Sequence, residues 1–212
     1  MAKTVTAAEM KERERAANEA GLLYIQMMEN AGRAAYAELK RRVPALRRLL
    51  IVAGKGNNGG DGFVMARVAA KEGVQVRVLL AEGEPKTADA KTNLALLENA
   101  AAEVVRDTEQ AAFGADAVVD ALYGTGFHGE LRPGGAAACA LMGRERERGA
   151  FVLALDLPSG VSADSGEVAE GAVQADATVT FDCTKPLHFA KASKPLCGAL
   201  VCADIGIGKA LG

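Results

Sequence analysis

Apolar and polar positions recur along the chain with two different periods, and each change of period marks a boundary between elements. "TAAE" at Thr6 to Glu9 fits a capping box, in which a hydroxyl and a carboxylate each bond the other residue's backbone. A first helix is therefore expected to run to about Ala20, with Gly21 as its stop. "YIQMMENAGRAAYAELKRR" places Ile25, Met28, Ala31, Ala35 and Leu39 on one face of a second helix, closed by Lys40, Arg41, Arg42 and Pro44. Cations are favourable at a helix C-terminus, so this basic end reads as an ordinary helix end and not as a nucleic-acid patch. "RERER" at 144–148 reads the same way, as a solvated helix end.

From Arg48 onward the period switches repeatedly. Strands are expected in "RLLIVA", "VQVRVLL", "AEVVR", "DAVVDAL", "AFVLALDL", "ADATVTF" and "GALVCADIG". Amphipathic helices are expected between most of them, in "FVMARVAAKEG", "TADAKTNLALLENA" and "GAAACALMGRERERG". Apolar strands alternating with helices predict βαβ units, hence an α/β fold with a mostly parallel sheet covered on both faces. The last two strand runs have no helix between them, which leaves room for an antiparallel edge strand. No linker composition and no repeat divides the chain, so one domain over residues 1–212 is expected.

Composition narrows the class. Half the residues are apolar, a quarter charged, and the formal net charge is -2, which gives no electrostatic footprint for nucleic acid. Cys139, Cys183, Cys197 and Cys202 form no C-x-x-C pair and no metal spacing with the two histidines, a usage that suits a reducing compartment. The first residues lack the apolar core of a signal peptide and no apolar run approaches membrane-spanning length, so a cytoplasmic protein is expected.

In such sheets ligands bind beyond the carboxyl ends of the strands. The polar residues expected there are Asn57, Asn58 and Asp61 in "GKGNNGGDGF", Asp120 at the end of "DAVVDAL", and Asp156 with Ser159 in "DLPSG". Gly54, Gly56 and Gly59 fit the dinucleotide spacing G-x-G-x-x-G, a weak signal alone. Asp61 is expected at the start of the following helix, where its carboxylate would cap the amides and repel a phosphate. That weighs against an NAD-dependent dehydrogenase while leaving a nucleotide ligand open. Glu82 is a candidate for the acidic residue such enzymes carry after the second strand. Gly59 and Gly60 read as positions needing backbone freedom or close approach to a ligand.

"MMENAGRAA", "VAGKGNNGGDGFVMAR", "VVDALYGTGFHGELR", "LALDLPSGVSADSGEV" and "ADATVTFDCTKP" followed by "GALVCADIGIG" occur in the order and spacing of the NAD(P)H-hydrate epimerase family, the YjeF N-terminal domain type, which this chain resembles over nearly its whole length. The resemblance implies a Rossmann-like three-layer α/β/α sandwich preceded by two helices, usually a homodimer. The implied activity interconverts the R and S epimers of NADHX and NADPHX, a nicotinamide-nucleotide repair reaction, with a bound potassium ion. Carried over by position, Asn57, Asn58, Gly59, Gly60 and Asp61 become one substrate-binding segment. Gly124, Thr125, Gly126, Phe127, His128, Gly129 and Glu130 become a second. Asp156 touches the reacting part of the substrate, and Asn58, Asp120 and Ser159 supply side chains to potassium. Bifunctional members continue into an ADP- or ATP-dependent dehydratase, so functional coupling to a separate or fused dehydratase is implied. The chain shown is expected not to dehydrate the hydrate itself.

The residue types suit that chemistry. A carboxyl of suitable pKa can protonate a leaving hydroxyl and then take a proton from incoming water, and its charge stabilises an iminium between the two steps. Asp156 is the candidate, and Asp156→Asn is expected to keep wild-type stability. Its bland alternative is a carboxylate capping the "PSG" turn. Asn58, Asp120 and Ser159 offer the oxygen donors that hard cations take. His128 and His188 read as loop or core residues, and Lys185 reads equally as a contact to substrate phosphate or as a surface cation. Two rival functions stay open: a non-catalytic nucleotide- or protein-binding module on the same fold, and an NAD-dependent oxidoreductase. Exposed apolar stretches of the first two helices are the candidate dimer surface.

Overall fold

The computed structural model describes residues 3–97 and 99–212. Thr6 caps α1 (Ala7–Glu19) through the expected box with Glu9, and α2 (Tyr24–Arg42) has the bounds its apolar stripe predicts. The rest alternates: β1 (Arg48–Ala53), α3 (Asn57–Lys71), β2 (Gln75–Leu80), α4 (Ala88–Leu97), β3 (Ala102–Val105), α5 (Thr108–Ala111), β4 (Ala117–Ala121), α6 (Pro133–Glu147), β5 (Phe151–Leu155), β6 (Ala177–Phe181), β7 (Ala199–Ala203) and α7 (Ile207–Leu211). The helix expected through Ala100 includes Glu98, which lies outside the described residues.

The strands form one seven-stranded sheet in the order β3-β2-β1-β4-β5-β6-β7. Successive residues of β1 point to opposite faces. Leu49, Ile51 and Ala53 join a core with residues of α1, α2, α3, α4 and α7, whereas Leu50 and Val52 join a second core with residues of α5 and α6. That division makes three layers, a Rossmann-like α/β/α sandwich. Burial on both faces shows in β4 and β6, where all five residues of each are buried, Asp120, Thr178 and Thr180 included.

Three expectations are corrected. β7 pairs with β6 in parallel, not antiparallel, with Ala177 opposite Ala199 and Phe181 opposite Ala203. The crossover that parallel strands require is made here by an excursion through 182–198 with two short 3-10 turns, at Pro186–His188 and Lys194–Leu196, and no α-helix. α3 begins at Asn57, six residues earlier than the apolar period suggested, so "NNGGDG" is helix and not loop. The "RERER" end of α6 is only partly solvated, because Glu145 is fully buried and accepts a bond from Ala115 N at 3.1 Å.

The chain start is tied to the carboxyl end of the sheet. Val5 N donates to Thr184 O at 2.9 Å, and Arg13 on α1 donates twice to Asp182, which follows β6, at 3.0 and 2.8 Å. These bonds hang α1 over the strand ends and bring Met10 and Glu14 to the wall of the cleft described next.

Candidate active site

Strand order reverses direction at β1, which has β2 on one side and β4 on the other, and a crevice opens beyond such a switch point. A cavity of about 560 Å³ occupies it, within the range of small-molecule sites. Asn57, Asn58 and Asp61 from α3 line it together with Asp156 and Lys185. The segment after β4 contributes Gly124, Thr125, Gly126, Phe127, His128 and Glu130. Gly129 instead lines a neighbouring depression.

Gly59 and Gly60 are in neither lining, and both are closely packed. A Cβ on Gly59 would stand 2.2 Å from Gly54 O, and one on Gly60 would stand 2.5 Å from Met28 Sδ. On Gly54 a Cβ would stand 1.8 Å from Leu122 O. The G-x-G-x-x-G spacing thus presses the turn onto the segment after β4, and presses α3 onto the turn. The outcome is an exposed helix start. Gly56 is the N-cap and provides no side-chain cap, so the amides of the first turn of α3 are open to a ligand. Asp61 does not cap this end, contrary to expectation: it lies in the second turn, on the cavity wall. The objection it raised to a phosphate at this terminus falls away.

Asp120 and Ser159 sit beneath the cavity, fully buried. Ser159 donates to Asp120 twice, from its amide at 2.7 Å and its hydroxyl at 2.6 Å, and Leu122 N adds a third bond at 3.2 Å. Tyr123 then joins the set to α3, since its amide donates to Ser159 Oγ at 2.9 Å and its carbonyl accepts from Asn58 Nδ2 at 2.8 Å. The three residues read as potassium ligands are therefore one connected group. Burial pushes the Asp120 carboxyl up to about 6 against these donors, and no cation among the described residues offsets it. A buried carboxylate without a counter-ion, flanked by hydroxyl and amide oxygens, fits a hard monovalent cation.

Asp156 is held differently. It adopts φ 65°, a left-handed conformation uncommon outside glycine and frequent at functional sites. Its carboxylate pairs with the Lys185 ammonium and accepts from Thr180 Oγ1 at 2.9 Å. Lys185, 1% exposed, is neither a surface cation nor free to meet a phosphate; it also donates to Thr180 Oγ1 at 2.9 Å. The side chain of Asp156 does not cap the "PSG" turn. Its carbonyl oxygen accepts from His188 Nε2 at 3.0 Å, while Lys185 N donates to His188 Nδ1 at 2.9 Å. That fixes the tautomer with hydrogen on Nε2, and burial holds His188 below its ordinary pKa. His128 is an exposed loop residue bonded to Gly126 O at 3.1 Å.

The residues missed from sequence are Thr180 and Glu14, and for Lys185 the pairing with Asp156 was missed. Glu14 left no signal, standing in the charged run "KERER" of a helix read only for its cap and its stop.

The comparisons with known proteins bear on family and fold. The family model described as "YjeF-related protein N-terminus" matches residues 24–187. The NAD(P)H-hydrate epimerase of Pirellula staleyi is 40% identical over 200 residues, covering 90% of this chain and 86% of its own. The bifunctional NAD(P)H-hydrate repair enzyme Nnr of Coxiella burnetii is 36% identical over 202 residues, 95% of this chain but 41% of its own length. This chain thus spans under half of the bifunctional relative. The crystal structure of yeast ynu0 superposes with a TM-score of 0.77 at 20% identity, over 95% of this chain and 88% of that one, which shows a shared fold. The chain belongs to the YjeF-related N-terminal family.

Proposed function

We propose that the cleft epimerises NAD(P)H hydrate, interconverting the R and S forms of NADHX and NADPHX, as one unit spanning residues 1–212. The observation that carries this reading is the convergence on one cavity of Asp156, the open start of α3, and Gly124 to His128 with Glu130, most of the positions that the family resemblance implies. The open amides of α3 suit the negative charge of a dinucleotide's diphosphate. Stacked Tyr123 and Phe127, with ring centroids 5.0 Å apart, give the second segment an apolar wall.

The substrate is a hemiaminal, with a hydroxyl on the ring carbon beside nitrogen. Expelling that hydroxyl as water leaves a planar iminium, and addition of water to the other face completes the inversion. Asp156 is the acid–base group at that carbon, and its negative charge favours the cationic intermediate. Asn58, Asp120 and Ser159 would hold potassium, which supplies positive charge that offsets Asp120 and ties together the segments after β1, β4 and β5. A cytoplasmic homodimer, with exposed Leu23 and Tyr24 at the start of α2 in its contact surface, belongs to the same reading, as does coupling to a dehydratase. Among the described residues no helix is long and apolar enough to cross a membrane.

The test supplies the purified protein with R-NADPHX, an S-specific dehydratase and ATP or ADP, and follows recovery of NADPH. Recovery well above the spontaneous epimerisation rate is expected. Recovery at the spontaneous rate, with the nucleotide still bound, would make the protein a binding module.

A further inference from the structure

Three carboxyl groups and one ammonium act on one another in the cleft, whose lining also carries Glu82, Glu130, Lys55, Lys86 and Arg132. Glu14 reaches it from α1, Asp61 from α3, Asp156 from the end of β5 and Lys185 from the segment after β6. The ammonium is committed to Asp156 and Thr180. Neither Glu14 nor Asp61 takes a hydrogen bond or an ion pair from a described side chain, so of these three acids only Asp156 is paired. Ionising Glu14 and Asp61 as well would set two carboxylates without partners of their own beside Asp156, in a confined space where repulsion is poorly screened. Burial raises Asp61 well above the ordinary carboxylate range, with the charges of Asp156 and Glu14 adding to it and Lys185 opposing. Burial likewise raises Glu14, with Asp156 next and Lys185 and Lys11 opposing. An acid whose ionisation is disfavoured and an ion-paired carboxylate therefore stand in the same cavity. Such pairs divide the work of giving and taking a proton.

Inversion requires that division. A lone carboxyl on one face of the ring can protonate a hydroxyl and guide water back only on its own face, which exchanges oxygen without inverting the carbon. We infer that Asp61 is a second catalytic residue, serving the ring face opposite to Asp156. This rests on the epimerase reading above. In one direction the C–O bond breaks with its electron pair on oxygen, and Asp61 gives that oxygen its proton so that water leaves. The ring nitrogen's lone pair forms the second C–N bond of the iminium. Water then bonds to carbon from the other face, the π pair returns to nitrogen, and the surplus proton passes to Asp156. One water has left and one has entered, and Asp61 is ionised while Asp156 is protonated. That is the state needed for the reverse inversion, and a proton passing back through cavity water resets the first.

The experiment incubates wild type, Asp61→Asn and Asp156→Asn with each epimer in ¹⁸O water, following epimer ratio by chromatography and label by mass spectrometry, with the enzyme-free rate subtracted. Wild type is expected to invert and label both epimers. Asp61→Asn should lose inversion by at least about 10²-fold while still washing label into one epimer, and Asp156→Asn should label only the other. Inversion by Asp61→Asn within a few-fold of wild type overturns the inference. Equal loss of inversion and label from both epimers, or label entering the same epimer in both variants, also overturns it. Failure of wild type to exceed the spontaneous rate sinks the epimerase reading instead. An infrared or ¹³C titration of wild type needs no variant: Asp61 is expected to titrate above the ordinary carboxylate range, and titration within or below that range overturns the assignment.

Discussion

Two aspartates stand at neighbouring strand ends, Asp120 closing β4 and Asp156 just beyond β5, and the fold treats them in opposite ways. Asp120 is fully buried and bound by neutral donors, with its charge unbalanced by any described residue. Asp156 keeps its side chain 13% exposed to the cleft and has its own ammonium in contact. The first arrangement is a frame awaiting a cation from outside. The second is a charge balanced internally and left open on one side. Charge compensation from within leaves Asp156 free to meet substrate, whereas Asp120 is spent on holding three segments together.

The largest expected effect is on the Asp156 side. Asp156→Asn should slow epimerisation by roughly 10²–10⁴-fold, the usual contribution of one acid–base group, measured with the spontaneous rate subtracted. Wild-type stability, expected from sequence, no longer follows, because the change strands the Lys185 ammonium. Removing one partner of a buried pair costs about 3–5 kcal/mol, and the amide oxygen that remains should keep the loss near the lower figure. The double variant Asp156→Asn/Lys185→Met should recover melting temperature without recovering activity. If instead the single variant melts like wild type, Lys185 is not dependent on Asp156 and the contrast between the two aspartates weakens.

The elements with a clean period were legible. The capping box, the stripe of α2 and all seven strands were readable from local pattern, because burial of one helix face or, in the central strands, of both strand faces imposes it. The start of α3 was not legible. Four glycines and two asparagines in Gly54–Gly60 oppose helix by propensity, and only close approach to Gly54 and Met28 makes glycine the right residue there. The direction of β7 was hidden because its crossover has no helical period. In the site, strand-end residues were readable by topology, but the pairing of Lys185 with Asp156 spans 29 positions and leaves no local pattern.

Glycine substitutions probe the backbone frame on the Asp120 side. Gly54→Ala places a methyl where Leu122 O already stands, and backbone cannot swing aside as a side chain does. A loss at the upper end of the about 1–3 kcal/mol typical of overpacking is expected in chemical denaturation. Gly56→Ala meets nothing within 4 Å and should be close to neutral. Equal effects from the two would mean that the turn is not pressed onto the segment after β4.

Potassium should separate the two aspartates by its effect on stability. Burial lifts Asp120 from its ordinary 3.8 to about 6, so the folded state binds its proton more tightly than the unfolded chain. That contribution is fully present below 3.8 and is lost as pH rises through about 6, worth about 3 kcal/mol in total. A cation that binds the ionised form restores stability above that window. Melting temperature in potassium chloride should exceed that in a bulky-cation chloride of equal ionic strength at pH 8, and the gap should close below pH 5. A gain of about 1.4 kcal/mol corresponds to potassium at tenfold its dissociation constant. Asp120→Asn should abolish the gap, and a gap that survives it would place the cation elsewhere.

The smallest effect concerns the backbone of Asp156, which a histidine holds and which has no counterpart at Asp120. His188 donates from Nε2 to Asp156 O and accepts at Nδ1 from Lys185 N. Asparagine can keep the acceptor near Nδ1 but does not reach the carbonyl, whereas glutamine can reach it. His188→Asn should therefore lower kcat by about 2–10-fold, the equivalent of one neutral hydrogen bond of about 0.5–1.5 kcal/mol, with His188→Gln closer to wild type. The group also titrates. Burial depresses its folded pKa below 6.5, so the unfolded chain takes up a proton first as pH falls. Its contribution to stability is present above 6.5 and is lost on acidification, opposite in sign to that of Asp120. Replacing His188 should flatten the acid side of the stability profile and leave the potassium-dependent gap above pH 6 intact. If the replacement also removed that gap, the two strand ends would form one coupled unit and their separate roles would merge.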